Sequence, residues 1–272
     1  MLNLIGTGLY DFDDLSTRAK ELIEDSDYVY LEYYTSKLKY DSKEELIEDF
    51  KDNFDKDLIL AYRNDIENKE DIIMQQAKEN NVTILVIGDA ISATTHTELI
   101  LNAKQQGIDI NIVHNASVFN SVAITGLQLY KFGKTASLVF PNTIEGQTWL
   151  PETPYKILQQ NQSIKAHTLF LLDINIDKDE ENFMTINQSI EILLKLDKTY
   201  KDKYNNQSVF NEDTMIVACA RLGSDDLYIR YAKAKDLLGV DFGEPLHCLI
   251  VPGNLHFVEE DMLKQYENEE NI

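Results

Sequence analysis

The sequence predicts an α/β protein of two domains, and three observations carry that prediction. The chain has 272 residues, more than one small module needs. Over its first part, short apolar runs alternate with amphipathic stretches, the pattern of a largely parallel sheet covered by helices. After His114-Asn115-Ala116-Ser117 the texture changes to longer strand-like runs. The expected domains are therefore 1–114, with the parallel sheet, and 115–272, with a mixed sheet.

Leu2 to Ile5 is an apolar run stopped by Gly6-Thr7-Gly8, so a buried strand ends there in a tight turn. Ser16 can cap a helix whose apolar stripe is Ala19, Leu22 and Ile23. A strand over Tyr28–Tyr33 follows. Ser42-Lys43-Glu44-Glu45 has the S-x-x-E spacing of a capping box, which starts a helix near Lys43. Ile72, Ile73 and Ala77 suit a helix leading into the buried strand Val82–Ile87, which Gly88-Asp89 ends. A helix from about Thr95 to Gln106 stops at Gly107, before a strand over Ile110–Val113.

In the second half, strands are expected over Thr135–Phe140, His167–Ile174, Thr214–Ala220 and Leu246–Val251. Helices are expected over Thr153–Gln160 and Met184–Leu196, and a charged turn over Asp177–Asn182.

Apolar residues make up 43% of the chain, with 11 Gly and only 5 Pro, which excludes a disordered or fibrous protein. The net charge of −22 repels phosphate backbones and anionic lipid, so neither nucleic acid nor membrane is an expected partner. Acidity of this kind also serves plain solubility and leaves the substrate undefined. Cys219 and Cys248 have neither zinc-site spacing nor the density of a disulfide scaffold. The opening MLNLIGTGLYD has no basic region and reads as neither signal peptide nor membrane span, so a cytoplasmic location is expected.

Two segments carry chemistry. Gly6 to Asp11, GTGLYD, looks like a glycine-rich cofactor turn but lacks the third glycine of a dinucleotide fingerprint, and no G-K-[ST] follows to make a P-loop. A strand-to-loop turn needing small residues explains it equally well. Gly88 to His96, GDAISATTH, crowds hydroxyls between a strand end and a helix, where amides and side-chain oxygens converge on a ligand. Capping by Ser92, Thr94 or Thr95 accounts for one of these hydroxyls but not for all. The five histidines form no H-x-x-x-H pair, so no metal site is indicated. There is no G-x-S-x-G elbow. The residues alone thus point to a two-domain α/β protein that binds a small molecule.

Taken in order, LIGTGLYD (4–11), YLEYYTSKL (30–38), GDAISATTHTEL (88–99), HNASV (114–118) and TGLQLYKFGKT (125–135) resemble the diphthine synthase family. The resemblance continues through LPETPYKIL (150–158), HTLFLLDI (167–174), FMTINQSIEILL (183–194), ARLGSDD (220–226), FGEPLHCLIVPG (242–253) and LHFVEED (255–261). That family is similar to the tetrapyrrole methylases. The resemblance therefore implies two α/β domains of the tetrapyrrole methylase type with the cofactor cleft between them, and commonly a homodimer.

The implied cofactor is S-adenosyl-L-methionine, leaving as S-adenosyl-L-homocysteine, and the implied partner is translation elongation factor 2 as protein substrate. The implied reaction is trimethylation of the amino group on its amino-carboxypropyl-modified histidine, a step in making diphthamide. Alternatives are a fourth methylation giving a methyl ester, methylation of a tetrapyrrole precursor, or a noncatalytic module that binds the factor or the cofactor. PETPY, FMTIN and the compact C-terminus look like the archaeal, trimethylating type.

Carried over by motif position, the cofactor contacts are Leu9, Asp89, Ser92, Ser117, Val118, Leu172, Leu222 and His247. Most are expected to act through backbone or cavity shape. Asp89 is the most legible, because a carboxylate at a strand end accepts from a ribose or amino group and favours a nearby sulfonium. Without the resemblance, Leu9, Val118, Leu172 and Leu222 read as core, and Ser92 and Ser117 as caps. The chain departs from the family at Ala90, where proline is usual, so this loop lacks a fixed φ. No general base is assigned, and a methyl activated on sulfur requires no metal or covalent nucleophile.

Overall fold

The alternating runs of the first part form the elements their patterns predict. In the computed structural model, which describes residues 1–67, 70–144, 147–177, 180–204 and 208–268, Leu2–Gly6 (β1) is buried at every position. A continuous apolar run is what a parallel strand covered on both faces requires. Thr17–Glu24 (α1) starts at Ser16, whose Oγ accepts from Ala19 N at 3.2 Å. Tyr28–Glu32 (β2) leads to Lys43–Phe54 (α2). There Ser42 Oγ accepts from Glu45 N at 3.1 Å, and the Glu45 carboxylate reaches back to Asp41 N at 3.1 Å, one residue before the cap.

Leu58–Ala61 (β3), Arg63–Glu67 (α3) and Glu70–Glu79 (α4) come next, then Val82–Val86 (β4) and Thr97–Gln105 (α5). Ile110–Val113 (β5) and Val118–Ser121 (α6) complete this part. The sheet order is β3-β2-β4-β1-β5, parallel throughout. With β4, β1 and β5 adjacent, the segments that follow them share one carboxyl edge, where open parallel sheets bind ligands. Leu2, Leu4, Ile84, Val86, Ile73 and Leu99 belong to the core beside this sheet.

The second part opens with Ala136–Leu138 (β6), Asn142–Ile144 (β7), Gln147–Trp149 (β8), Thr153–Ser163 (α7) and Thr168–Leu172 (β9). Ile174–Ile176 (β10), Glu181–Phe183 (β11) and Ile186–Tyr204 (α8) follow. Met215–Ala220 (β12), Tyr228–Lys233 (β13), Ala234–Leu237 (α9), His247–Val251 (β14) and Phe257–Leu263 (α10) end it. Its main sheet, β13-β12-β14-β9-β6, is mixed: β6 runs parallel to β9 and the other pairs are antiparallel. Phe170, Leu158, Leu193, Phe210 and Leu249 lie in its core. Cys219 and Cys248 stand directly opposite each other on β12 and β14, both buried and free.

By compactness the chain divides into Met1–Ser121 with Asn175–Glu181, and Val122–Ile174 with Asn182–Ile272. The expected division at 114/115 falls a few residues earlier, in the segment between β5 and α6. Asn175–Glu181 counts with the first unit because Glu181 accepts from Tyr33 Oη at 2.9 Å and pairs with Lys37 at 3.6 Å. Both contacts span most of the chain, so local patterning carries no trace of them.

Several expected boundaries move. The strand expected over Tyr28–Tyr33 ends at Glu32, and the one expected over His167–Ile174 breaks at Asp173, whose carboxylate accepts from Phe140 N at 2.9 Å. The helix expected over Met184–Leu196 runs from Ile186 to Tyr204. Within the turn expected over Asp177–Asn182, residues 178 and 179 lie outside the described residues, and Glu181 already belongs to β11. Edge strands β3 and β13 escape the sequence reading: one is four residues long with Ile59 exposed, and the other carries Arg230 within its alternation.

Candidate active site

At the carboxyl edge of the first sheet, the segments after β1 and β4 are stitched together by their backbones. Gly8 N donates to Gly88 O at 3.1 Å and Gly88 N donates to Gly8 O at 2.7 Å. Both glycines have positive φ, +86° and +92°, which side-chain-bearing residues rarely adopt. Gly6 is required for a different reason: a Cβ there would stand 2.6 Å from Gly88 O and 2.9 Å from Ala90 N. The small residues of GTGLYD thus allow close approach of two loops.

Leu9 N and Tyr10 N donate to Asp14 Oδ2 at 3.1 and 3.0 Å, which fixes the turn and leaves Leu9 half-buried. Asn115, the first residue but one after β5, joins the same edge. Its Nδ2 donates to Gly6 O at 3.1 Å and Asp14 O at 3.0 Å, and its Oδ1 accepts from Ala116 N at 2.8 Å.

Asp89 is the hub of this edge. Its Oδ1 accepts from Ile91 N at 3.2 Å and Ser92 Oγ at 2.7 Å. Its Oδ2 accepts from His114 Nδ1 at 2.8 Å and Asn115 N at 3.1 Å. Burial raises the carboxyl's pKa, but the hydrogen bonds from Ser92, His114 and the two amides outweigh it and hold the group below its usual range. An ionised carboxylate has about four lone-pair sites, and all four are in use. The side chain therefore ties the β4 loop to the β5 loop and has no acceptor site left over for a ligand in this arrangement.

Ser92 spends its hydroxyl on Asp89 rather than on a helix cap, and the N-cap of α5, His96, makes no side-chain capping bond. Ser117 is buried, and its N and Oγ both donate to Asn120 Oδ1, at 2.7 and 3.4 Å. Val118 follows as the half-buried first residue of α6. Ala90, in the place where the family usually has proline, is fully buried, so packing restrains the loop there.

Behind the loop, His96 Nε2 lies 2.5 Å from Glu32 Oε2, with both side chains almost completely buried. Thr35 Oγ1 donates to the other Glu32 oxygen. The end of β2 is thereby fastened to the end of the Gly88–His96 segment.

In the second unit, Leu172, Leu222 and His247 gather at one end of the sheet. Leu172 ends β9 and is buried. His247 opens β14 opposite Ala220, the last residue of β12, and Leu222 lies two residues beyond. Between them Arg221 adopts φ +52°. Its Nη1 donates to Phe242 O at 2.6 Å and Glu244 O at 2.7 Å, its Nη2 donates to Asp226 O at 3.0 Å, and its Nε pairs with Asp226 Oδ2 at 2.5 Å. One guanidinium thus holds the loops carrying Leu222 and His247.

His247 Nε2 donates to Glu244 O at 3.0 Å, which leaves Nδ1 as an acceptor. That nitrogen is buried with no hydrogen-bond partner among the described residues. Burial, the larger influence, lowers the imidazole's pKa, so the ring is neutral and Nδ1 carries a lone pair. A buried acceptor without a protein donor is satisfied by water or by a ligand N–H or O–H.

The structure thus brings Leu9, Asp89, Ser92, Ser117 and Val118 to one sheet edge and Leu172, Leu222 and His247 to another. Sequence reading missed Asp14, His114, Asn115 and Arg221. HNASV contains two of these and ARLGSDD a third, but their roles depend on carbonyls and carboxylates far away in the chain.

The tetrapyrrole (corrin/porphyrin) methylase family profile matches residues 1–237. A diphthine synthase from Methanocaldococcus jannaschii is 42% identical, covering 97% of this chain and 98% of its own. A relative described as a probable diphthine methyl ester synthase from Arabidopsis thaliana is 39% identical, covering 98% of both. A solved diphthine synthase structure superposes with a TM-score of 0.83 at 33% identity, covering 98% of this chain and 95% of its own.

Proposed function

The chain belongs to the tetrapyrrole methylase family, and from that premise we propose that it is an S-adenosylmethionine-dependent diphthine synthase. Its substrate is translation elongation factor 2, and it trimethylates the amino group of the amino-carboxypropyl-modified histidine in diphthamide biosynthesis. The observation that carries this reading is the match to a diphthine synthase over 97% of this chain and 98% of the relative.

The residues present fit the cofactor. Gly6 and the Gly8–Gly88 pair let the loops after β1 and β4 close on each other, which sets the positions of the backbone that would face the cofactor. His247 Nδ1 supplies a buried acceptor for a donor such as the cofactor's amino groups. In this reading Leu9, Val118, Leu172 and Leu222 contribute cavity shape, while Ser117 and the 88–92 backbone contribute position. Asp89 and Ser92 act by setting the loop, and the ionised Asp89 adds negative charge that favours a cation nearby. The cofactor supplies a methyl group already activated by sulfonium charge, so the protein's task is alignment and exclusion of water.

The chain is further proposed to act as a cytoplasmic homodimer. Among the described residues no helix is long and apolar enough to cross a membrane, and both cysteines are free thiols. Tyr130, Phe257 and Val258 of the second unit are 82, 67 and 52% exposed, apolar side chains of the kind a dimer would cover.

Radiolabelled methyl transfer tests the substrate. The purified protein is offered precursor-bearing elongation factor 2 and, separately, a porphyrin precursor. Label in the factor alone is expected. Label in the porphyrin alone would reverse the assignment, and cofactor binding with no label in either would mark a binding module.

A further inference from the structure

At the carboxyl ends of β2 and β3, the next residues in the chain are Tyr33 and Tyr62. Their rings meet nearly edge to face, with centroids 6.3 Å apart and planes at 80°. Between them sits an ammonium group: Lys43 Nζ lies 5.6 Å from the centre of Tyr33 and 5.5 Å from that of Tyr62. Two aromatic faces at right angles sharing one cation are the geometry that recognises alkylammonium ligands.

Four further features distinguish this arrangement from ordinary surface packing. Tyr33 is 4% exposed, so the ring is committed to the arrangement rather than resting against it. Its Oη donates to Glu181 Oε1 at 2.9 Å, which enriches the ring's electron density, and the same carboxylate pairs with Lys37 at 3.6 Å. Burial, followed by Glu181, raises the phenol's pKa well beyond its ordinary value, so the ring is neutral and serves as a π-face rather than a base. Finally, Lys43 is the first residue of α2, in a turn otherwise carrying Glu44 and Glu45. A positive charge there opposes the helix dipole, so helix stability does not explain the lysine.

We propose that Tyr33 and Tyr62 form a binding site for a methylated ammonium group, and that Lys43 is the internal cation a ligand displaces. The site lies on the sheet edge that also carries the 7–11 and 88–96 loops. Its use for the substrate rests on the reading that this protein methylates an amine, because each transferred methyl makes the acceptor nitrogen a better match for such a cage. Lys43 is half-buried at the start of α2.

The experiment reads binding without catalysis. Choline and its uncharged carbon isostere 3,3-dimethylbutan-1-ol are titrated by saturation-transfer NMR against wild type, Lys43→Gln, and Lys43→Gln combined with Tyr62→Phe or Tyr62→Leu. Circular dichroism checks each fold. Lys43→Gln is expected to bind choline about tenfold more tightly than wild type and to discriminate against the isostere. Adding Tyr62→Phe retains that gain and adding Tyr62→Leu removes it. Equal binding of choline and isostere, or no gain on removing the lysine, overturns the proposal, and that comparison holds even if Tyr62→Leu does not fold. Failure to methylate elongation factor 2 with the choline result intact overturns the functional reading alone.

Discussion

Asp89 fastens the loop after β4 to the loop after β5. Four donors from two loops share its carboxylate, so Asp89→Ala frees both loops at once. Calorimetry is expected to show cofactor affinity falling about tenfold or more, the cost of leaving buried partners unpaired. Asp11→Ala is expected to change affinity far less, because Asp11 engages Lys39 at 2.6 Å and Asp13 N at 2.8 Å, outside the loop network. Equal dissociation constants for the two variants would contradict this. The place of Asp89 at the end of a buried strand was legible; the bonds it accepts were not, because His114 and Asn115 reach it from the segment after β5. The buried Glu32–His96 contact was invisible for the same reason, since an isolated histidine in a hydroxyl-rich segment gives no sign of a partner on β2.

At the scale of elements, the β1 turn depends on the absence of a side chain at Gly6. Gly6→Ala puts a methyl 2.6 Å from Gly88 O and forces the two loops apart. A loss of about 1–3 kcal/mol in urea unfolding is expected, together with loss of cofactor binding. Wild-type affinity in a folded variant would show that the loops need not approach.

A second element-scale prediction concerns α10. Glu259 is buried and accepts from Gln128 N at 2.9 Å, His256 N at 2.7 Å, His167 Nε2 at 3.1 Å and Lys131 Nζ. Burial raises its pKa, yet these bonds win and hold it at about 2. Because the folded value is depressed, the stabilisation is complete above the unfolded carboxyl range near 4.5 and is lost as pH falls towards 2. It amounts to about 3 kcal/mol at neutral pH. His167, lowered mainly by burial, acts in the same direction below its ordinary value of 6.5. Urea midpoints should show Glu259→Gln much weaker than wild type at pH 7, with the gap narrowing below pH 4.5 and closing only near pH 2; a gap independent of pH would refute the assignment. Helix α10 itself was not anticipated, although LHFVEED carried the residues, because its cap is a histidine rather than a serine or aspartate.

For the whole molecule, the alternation of strand and helix made the parallel sheet readable, whereas the longer strands expected after residue 114 were an overestimate: β6, β7, β8, β10 and β11 have three residues each. The return of Asn175–Glu181 to the first unit was not readable, because it depends on Tyr33 and Lys37 meeting Glu181 at a distance in sequence. Assembly was expected only through resemblance; the exposed Tyr130 and Phe257 now give it a testable surface. Replacing both by Glu is expected to convert a dimer to monomer in analytical ultracentrifugation, and an unchanged dimer would place the interface elsewhere. The proposed reaction is read from the intact mass of precursor-bearing elongation factor 2 before and after incubation with this protein and S-adenosylmethionine. A gain of three methyl groups is expected. A gain of four would assign the ester-forming reaction instead, and no gain from a protein that binds the cofactor would contradict the assignment.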